Sequence, residues 1–243
     1  MALREEFERS GNWLFRWRSY LPLAFIFLFL VALTSFKYEL GDHTWELFCL
    51  FISFFGLGIR VYAVGCAPRG TSGRNVKEQR AEVLNSTGIY SLVRHPLYLG
   101  NFVIWFGIIL SVKLWWFMAV SVLIFWLYYE RIMFAEEEFL RRKFGDDYLK
   151  WANEAPAFLP TKLRRWRPSA LPFEFKNALR REYSGFFAII SVFSLLELIK
   201  SRIVEGEFIF DPTWTAIFIF GLVVYLTLLI LKKKTKFLDV QGR

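Results

Sequence analysis

Long apolar runs, separated by short polar or basic stretches, set the layout of this 243-residue chain. Runs at about 20–36, 45–64, 183–198 and 213–231 are each near the length a helix needs to cross a hydrocarbon core of roughly 30 Å. Residues 97–132 hold two more runs, divided near Ser111 to Lys113 and barely long enough to span, which read as a helical hairpin. Residues 1–19 mix charge with Trp13, Phe15 and Trp17 and read as an interfacial segment lying on the membrane. The stretch 133–152 has a different period. At 100° per residue, Met133, Glu137, Leu140, Phe144, Tyr148 and Trp151 share one stripe, while Glu138, Arg141, Arg142 and Lys143 mostly fall elsewhere. That pattern predicts a separate amphipathic helix. Prolines at 156, 160, 168 and 172 and the basic run Lys162 to Arg167 make 153–182 a surface connection.

The expected fold is therefore all-α: one polytopic membrane domain of about six transmembrane helices, with parts 1–64, 65–160 and 161–243. Gly56 and Gly58 in the second span would allow close helix contact. Composition agrees, at 55% hydrophobic and 20% aromatic residues with a mean hydropathy of +0.34, too apolar for a soluble domain. The formal charge of +9 gathers at the N-terminus, at 66–96, at 131–182 and at Lys232 to Lys234, and the other turns carry little. Dense basic segments mark the cytoplasmic side and attract anionic inner-leaflet lipids. Nucleic acid is excluded as a partner because the basic residues flank apolar spans. Cys49 and Cys66 make no disulfide framework, and no Cys/His grouping has zinc spacing, so no metal is expected. The acidic N-terminus without a small-residue cleavage site does not read as a cleaved signal peptide.

Candidate chemistry lies in three places. In the stretch Gly88 to Asn101, Arg94-His95 precedes a proline, which predicts an extended pair leading into a helix that starts near Pro96. The loop Arg69-Gly70-Thr71-Ser72-Gly73-Arg74-Asn75 has the glycines, hydroxyls and arginines of an anion nest; the bland alternative is a positive loop that only sets topology. Glu137 is a carboxylate on the apolar stripe of its helix and needs a partner or a ligand, a salt bridge to a local arginine being the plainer outcome.

Arg94-His95-Pro96-Leu97-Tyr98-Leu99-Gly100 resembles the RHPxYxG signature of the isoprenylcysteine carboxyl methyltransferase family. Glu136-Glu137, Leu140, Phe144-Gly145 and Tyr148 fit its second pattern, EExxL…FGxxY. The resemblance covers roughly residues 60–160. It implies S-adenosylmethionine as cofactor, held by His95, Pro96, Tyr98, Leu99, Gly100, Glu136, Glu137, Phe144 and Tyr148, with the amphipathic helix as a cap. Two branches of the resemblance fit, enzymes of prenylated cysteine carboxylates and bacterial relatives acting on the lipid A 1-phosphate. An anionic acceptor oxygen needs no general base at neutral pH, so catalysis falls to positioning, with Arg60, Arg69, Arg74 and Arg94 as candidates to hold the anion. The donors of the 71–75 loop favour phosphate, hence a lipid headgroup in a bacterial inner membrane with the site facing the cytoplasm. The rival classes are an NADPH-dependent membrane reductase of the sterol type, which resembles the same Arg-His-Pro and Tyr-x-Gly elements, and a non-enzymatic transporter or assembly factor. Charges gathered at one face disfavour the transporter.

Overall fold

The computed structural model describes residues 2–20, 28–29, 31–32, 43–68 and 79–240. The helices of stated bounds that order most of them are α1 (Leu3–Trp17), α2 (His43–Gly65), α3 (Pro96–Leu110), α4 (Trp115–Glu154), α5 (Phe175–Val204) and α6 (Pro212–Lys234). No strand forms among the described residues. A single antiparallel bridge joins Gly88 to Arg167. The all-α expectation holds. Most of the predicted first span, and the loop 69–78 with Arg69 and Arg74, lie outside the described residues.

Length explains the architecture. α2, α4 and α6 are long and apolar enough to cross a membrane. α3, with 15 residues, is about 22 Å long at 1.5 Å per residue, short of a full crossing. α3 and α4 form the predicted hairpin, turned at Ser111 to Leu114. α4 has 40 residues and is broken at Gly145; its continuous part before that glycine is about 45 Å long, half as long again as a bilayer core needs. Its second half must project past the membrane at the end where α3 begins. The separate cap helix expected over 133–152 is therefore corrected: it is the projecting half of a span. No proline or glycine interrupts the chain from Trp115 to Phe144, so the helix has no reason to stop. The first break is Gly145, where φ is +52°, a left-handed value that glycine accepts readily.

α1 runs antiparallel along this projecting half. Phe7 meets Phe134 edge-on at 5.7 Å, Arg4 pairs with Glu138 at 2.5 Å, and the Tyr128 hydroxyl donates to the Leu14 carbonyl. Glu138, expected off the buried stripe, is thus buried on a second face of α4 that packs on α1. Trp13 and Trp17 stay exposed, as an interfacial segment requires.

The α2–α3 crossing is set by missing side chains. A Cβ on Gly56 would stand 2.6 Å from the Ile104 backbone nitrogen, and one on Gly100 would stand 2.5 Å from Arg60 Cγ. Gly58 has open space around it, so of the two α2 glycines singled out in the sequence only Gly56 makes the close approach. α5 caps α2: Asn177 Nδ2 donates to the Val64 carbonyl at 2.9 Å, and the Glu174 amide donates to that of Gly65, satisfying carbonyls that a helix end leaves open.

Charge also gathers at the end of the bundle away from His95, against the expectation of one charged face. Glu46 of α2 accepts from Lys200 of α5 and, at 3.0 Å, from the Trp214 indole of α6. Glu197 lies 3.4 Å from Lys200. All four side chains are buried.

Candidate functional site

Pro96 starts α3, and His95 is its N-cap residue with φ −119° and ψ 61°, outside the α region as the residue before a proline must be. The Arg94 and His95 amides donate to the carbonyls of Pro156 and Ala157, at 2.9 and 3.1 Å. This short pairing pins the motif to the chain just beyond α4, so the loop-to-helix joint and the projecting half of α4 form one unit.

Glu137 is the centre of that unit. It accepts from Arg94 Nε at 2.9 Å and Nη2 at 3.2 Å, from His95 Nε2 at 3.0 Å and from the Tyr148 hydroxyl at 2.8 Å. A carboxylate has about four lone-pair sites, and protein donors occupy them. A carboxylate only accepts, so His95 carries a proton on Nε2. The plainer outcome foreseen for Glu137, a salt bridge to a local arginine, is what forms. Arg94 is used as fully: its Nη1 donates to the carbonyls of Ala152 and Ala155 at 2.7 and 3.0 Å, closing the end of α4. Arg94 therefore positions the cluster.

Glu136 differs from its neighbour. Its Oε2 atom is buried and makes no hydrogen bond among the described residues. It faces His95 Nδ1 at 3.7 Å, beyond hydrogen-bond reach. The His95 ring stacks on Tyr98, centroids 5.6 Å apart. Burial, with the Glu136 charge nearby, pushes the Tyr90 phenol above its usual value and keeps it neutral. Trp151 donates its indole N–H to the Tyr90 carbonyl at 2.9 Å, and Phe144 and Leu84 each pack against the buried cluster of Tyr148, Trp151 and Ala155. A carboxylate oxygen with no donor, in a buried polar spot next to an imidazole, suits a ligand that brings hydroxyl or amine donors.

The structure thus brings Arg94, His95, Tyr98, Glu136, Glu137 and Tyr148 together, with Phe144 at the edge. Leu99 is buried in the α3–α4 core, Pro96 is fully buried, and Gly100 serves the α2 crossing. Arg60 is also tied: Nε and Nη2 hold Glu182 at 2.8 and 2.9 Å, and Nη1 donates to Asn101 Oδ1 at 2.7 Å. Asn101 in turn reaches the Tyr129 hydroxyl at 3.4 Å, and the Tyr129 ring lies 5.0 Å from that of Tyr98. Sequence reasoning missed Asn101, Tyr129 and Glu182. The available signal was a lone amide at the start of an otherwise apolar helix, which needs a polar partner.

Fold and site together define a helical membrane protein whose polar centre joins a loop-to-helix corner to the overhang of a span. Residues 70–147 match the family model described as phospholipid methyltransferase. Over 84 residues the chain is 29% identical to protein-S-isoprenylcysteine O-methyltransferase of Schizosaccharomyces pombe, covering 35% of this chain and 36% of that protein. Over 109 residues it is 38% identical to nickel-cobalt-cadmium resistance protein NccN of Alcaligenes xylosoxydans xylosoxydans, covering 43% and 47%. Over 132 residues it is 30% identical to cobalt-zinc-cadmium resistance protein CzcN of Cupriavidus metallidurans, covering 54% and 59%. The chain spans about half the length of the curated relatives it matches. No solved structure matches it. Its central segment is similar to phospholipid methyltransferases and to an isoprenylcysteine O-methyltransferase.

Proposed function

We propose that the protein is a methyltransferase that uses S-adenosylmethionine and methylates an anionic headgroup of a membrane lipid at the cytoplasmic face of a bacterial inner membrane. The observation that carries this reading is the convergence of the two family motifs on one cluster, with His95 and Glu137 3.0 Å apart. S-adenosylmethionine, when bound, supplies an electrophilic methyl group on a sulfonium centre. Glu136 offers its unpaired oxygen to donor groups of the cofactor, with Tyr98 and His95 forming the wall behind it. Glu137 holds Arg94, His95 and Tyr148 in fixed positions, which is preorganisation rather than direct chemistry. The overhang of α4 covers the site and excludes water, with Phe144 and Trp151 on its face.

The acceptor oxygen is an anion, so no base among these residues is required. Arg60 and Arg94 are neutralised by Glu182 and Glu137. The task of holding the acceptor therefore passes to Arg69 and Arg74 in the 69–78 loop. The hydroxyls and arginines of that loop suit the 1-phosphate of lipid A, the acceptor we assign. An isoprenylcysteine carboxylate is the second reading, favoured by the Schizosaccharomyces pombe relative. No metal role is taken from the names of the other two relatives, since no group of three or more His, Cys, Asp and Glu is placed to hold an ion among the described residues.

The test is mass spectrometry of lipids from cells with and without the gene, paired with tritiated methyl transfer to isolated membranes. The expected product has gained one CH2 unit and lost one negative charge. Label in a prenylated protein selects the carboxylate acceptor. NADPH consumption without methyl transfer returns the reductase reading.

A further inference from the structure

A second polar cavity, of about 400 Å³, opens beyond the far end of α4, at the same end of the bundle as His95. It shares only Trp151 with the surroundings of the Arg94–His95–Glu137 cluster. Arg164, Arg165 and Arg167 line it, with Trp151 and Trp166 as its aromatic sides and Glu154 as its one acid. Three guanidinium groups face one carboxylate, and that carboxylate is already taken: Arg167 Nη2 holds Glu154 Oε2 at 2.5 Å, and Arg165 Nη1 donates to the Glu154 carbonyl at 2.7 Å. Arg164 makes no hydrogen bond or ion pair among the described residues. The cavity thus keeps an excess of positive charge and a free fork of donors, the geometry that binds a phosphate.

Its rim is anchored. The Gly88 amide donates to the Arg167 carbonyl at 2.9 Å, and the Arg167 amide donates to Ser91 Oγ at 3.0 Å. The basic segment is therefore fixed to the loop that leads into Arg94 and is no free linker. Around it Leu159, Leu163, Trp166 and Phe173 are exposed, from 43% to 67% of their surface. Exposed apolar and indole groups beside an excess of arginine charge belong at a membrane–water interface.

We propose that this cavity binds the phosphate head of an anionic phospholipid from the adjacent leaflet, as a site distinct from the methyl-transfer centre. The flanking apolar side chains would sit among the acyl chains, which distinguishes a lipid from a free phosphate. The test is native mass spectrometry of the full-length protein in neutral detergent, titrated with phosphatidylglycerol or phosphatidylcholine. Wild type is expected to retain one phosphatidylglycerol in preference to phosphatidylcholine, and Arg164→Gln/Arg165→Gln to bind it about tenfold more weakly. Millimolar inorganic phosphate should leave the retained lipid in place. Equal retention of the two lipids by wild type, unchanged phosphatidylglycerol binding in the double variant, or displacement by inorganic phosphate each overturns the proposal. The wild-type comparison and the phosphate arm need no variant, so misfolding of the double variant leaves the test intact. None of these readings involves methyl transfer.

Discussion

The two ends of the helical bundle both bury acids against cations, yet they are built differently. At one end Glu137 meets Arg94, His95 and Tyr148, and Glu136 beside it keeps an oxygen without a donor among the described residues. At the other end Glu46, Glu197, Lys200 and Trp214 tie α2, α5 and α6 together. The first cluster comes from a loop corner and a helix overhang, where side chains can meet a ligand. The second comes from the interiors of three packed helices, and its partners are one another. Buried charge by itself does not separate a site from a fastening, and neither does an unfilled hydrogen bond, since Glu197 Oε2 also lacks one among the described residues; position where a loop corner meets a helix overhang does.

Breaking the fastening should give the largest loss of stability. Lys200→Met strands two buried acids, and leaving an uncompensated buried charge costs about 3–5 kcal/mol. A thermal melt in detergent would show it, while cofactor affinity of the folded fraction stays unchanged. Glu137→Gln should cost about 2–3 kcal/mol, less because the Arg94–Glu137 pair is partly exposed. It should also weaken S-adenosylmethionine binding by about tenfold or more, since His95 and Tyr148 lose their anchor. Gly56→Ala drives a methyl group into the α3 backbone and should cost about 1–3 kcal/mol, read as a lower melting temperature with the cofactor site retained when folded. Arg74→Ala should spare cofactor affinity and slow methyl transfer, which sharpens the division between donor and acceptor binding. Gly145→Ala forces alanine onto φ +52° with ψ −123°, outside the left-handed helical well, and should cost about 1–3 kcal/mol in a thermal melt.

Much of this was legible in the residues. A proline after Arg94-His95 keeps His95 out of the α region and dictates a helix start; α3 does start at Pro96, while His95, with φ −119° and ψ 61°, leaves the α region without becoming extended. The polar break at Ser111 to Lys113 divides the hairpin where Lys113 turns with φ +56°. The helical period of 133–152 put Glu137 on the inward stripe, and the structure gives it four donor contacts. The union of that stripe with the preceding span was not foreseen, because a change of hydrophobic period looks like a new element even when no residue breaks the helix. The second face of α4 was missed for a related reason: Phe134 and Glu138, four apart, point at α1, a partner 120 or more residues away that local periodicity does not see. Glu46, Glu197 and Lys200 belong to no motif, and only tertiary packing of α2 on α5 joins them.

Calorimetric titration of S-adenosylmethionine into the purified protein tests the central claim most directly. One binding event in wild type is predicted, retained in Lys200→Met and weakened about tenfold or more in Glu137→Gln. Absence of binding to wild type, or equal losses in the two variants, would contradict the assignment of the His95–Glu137 end as the methyl-donor site.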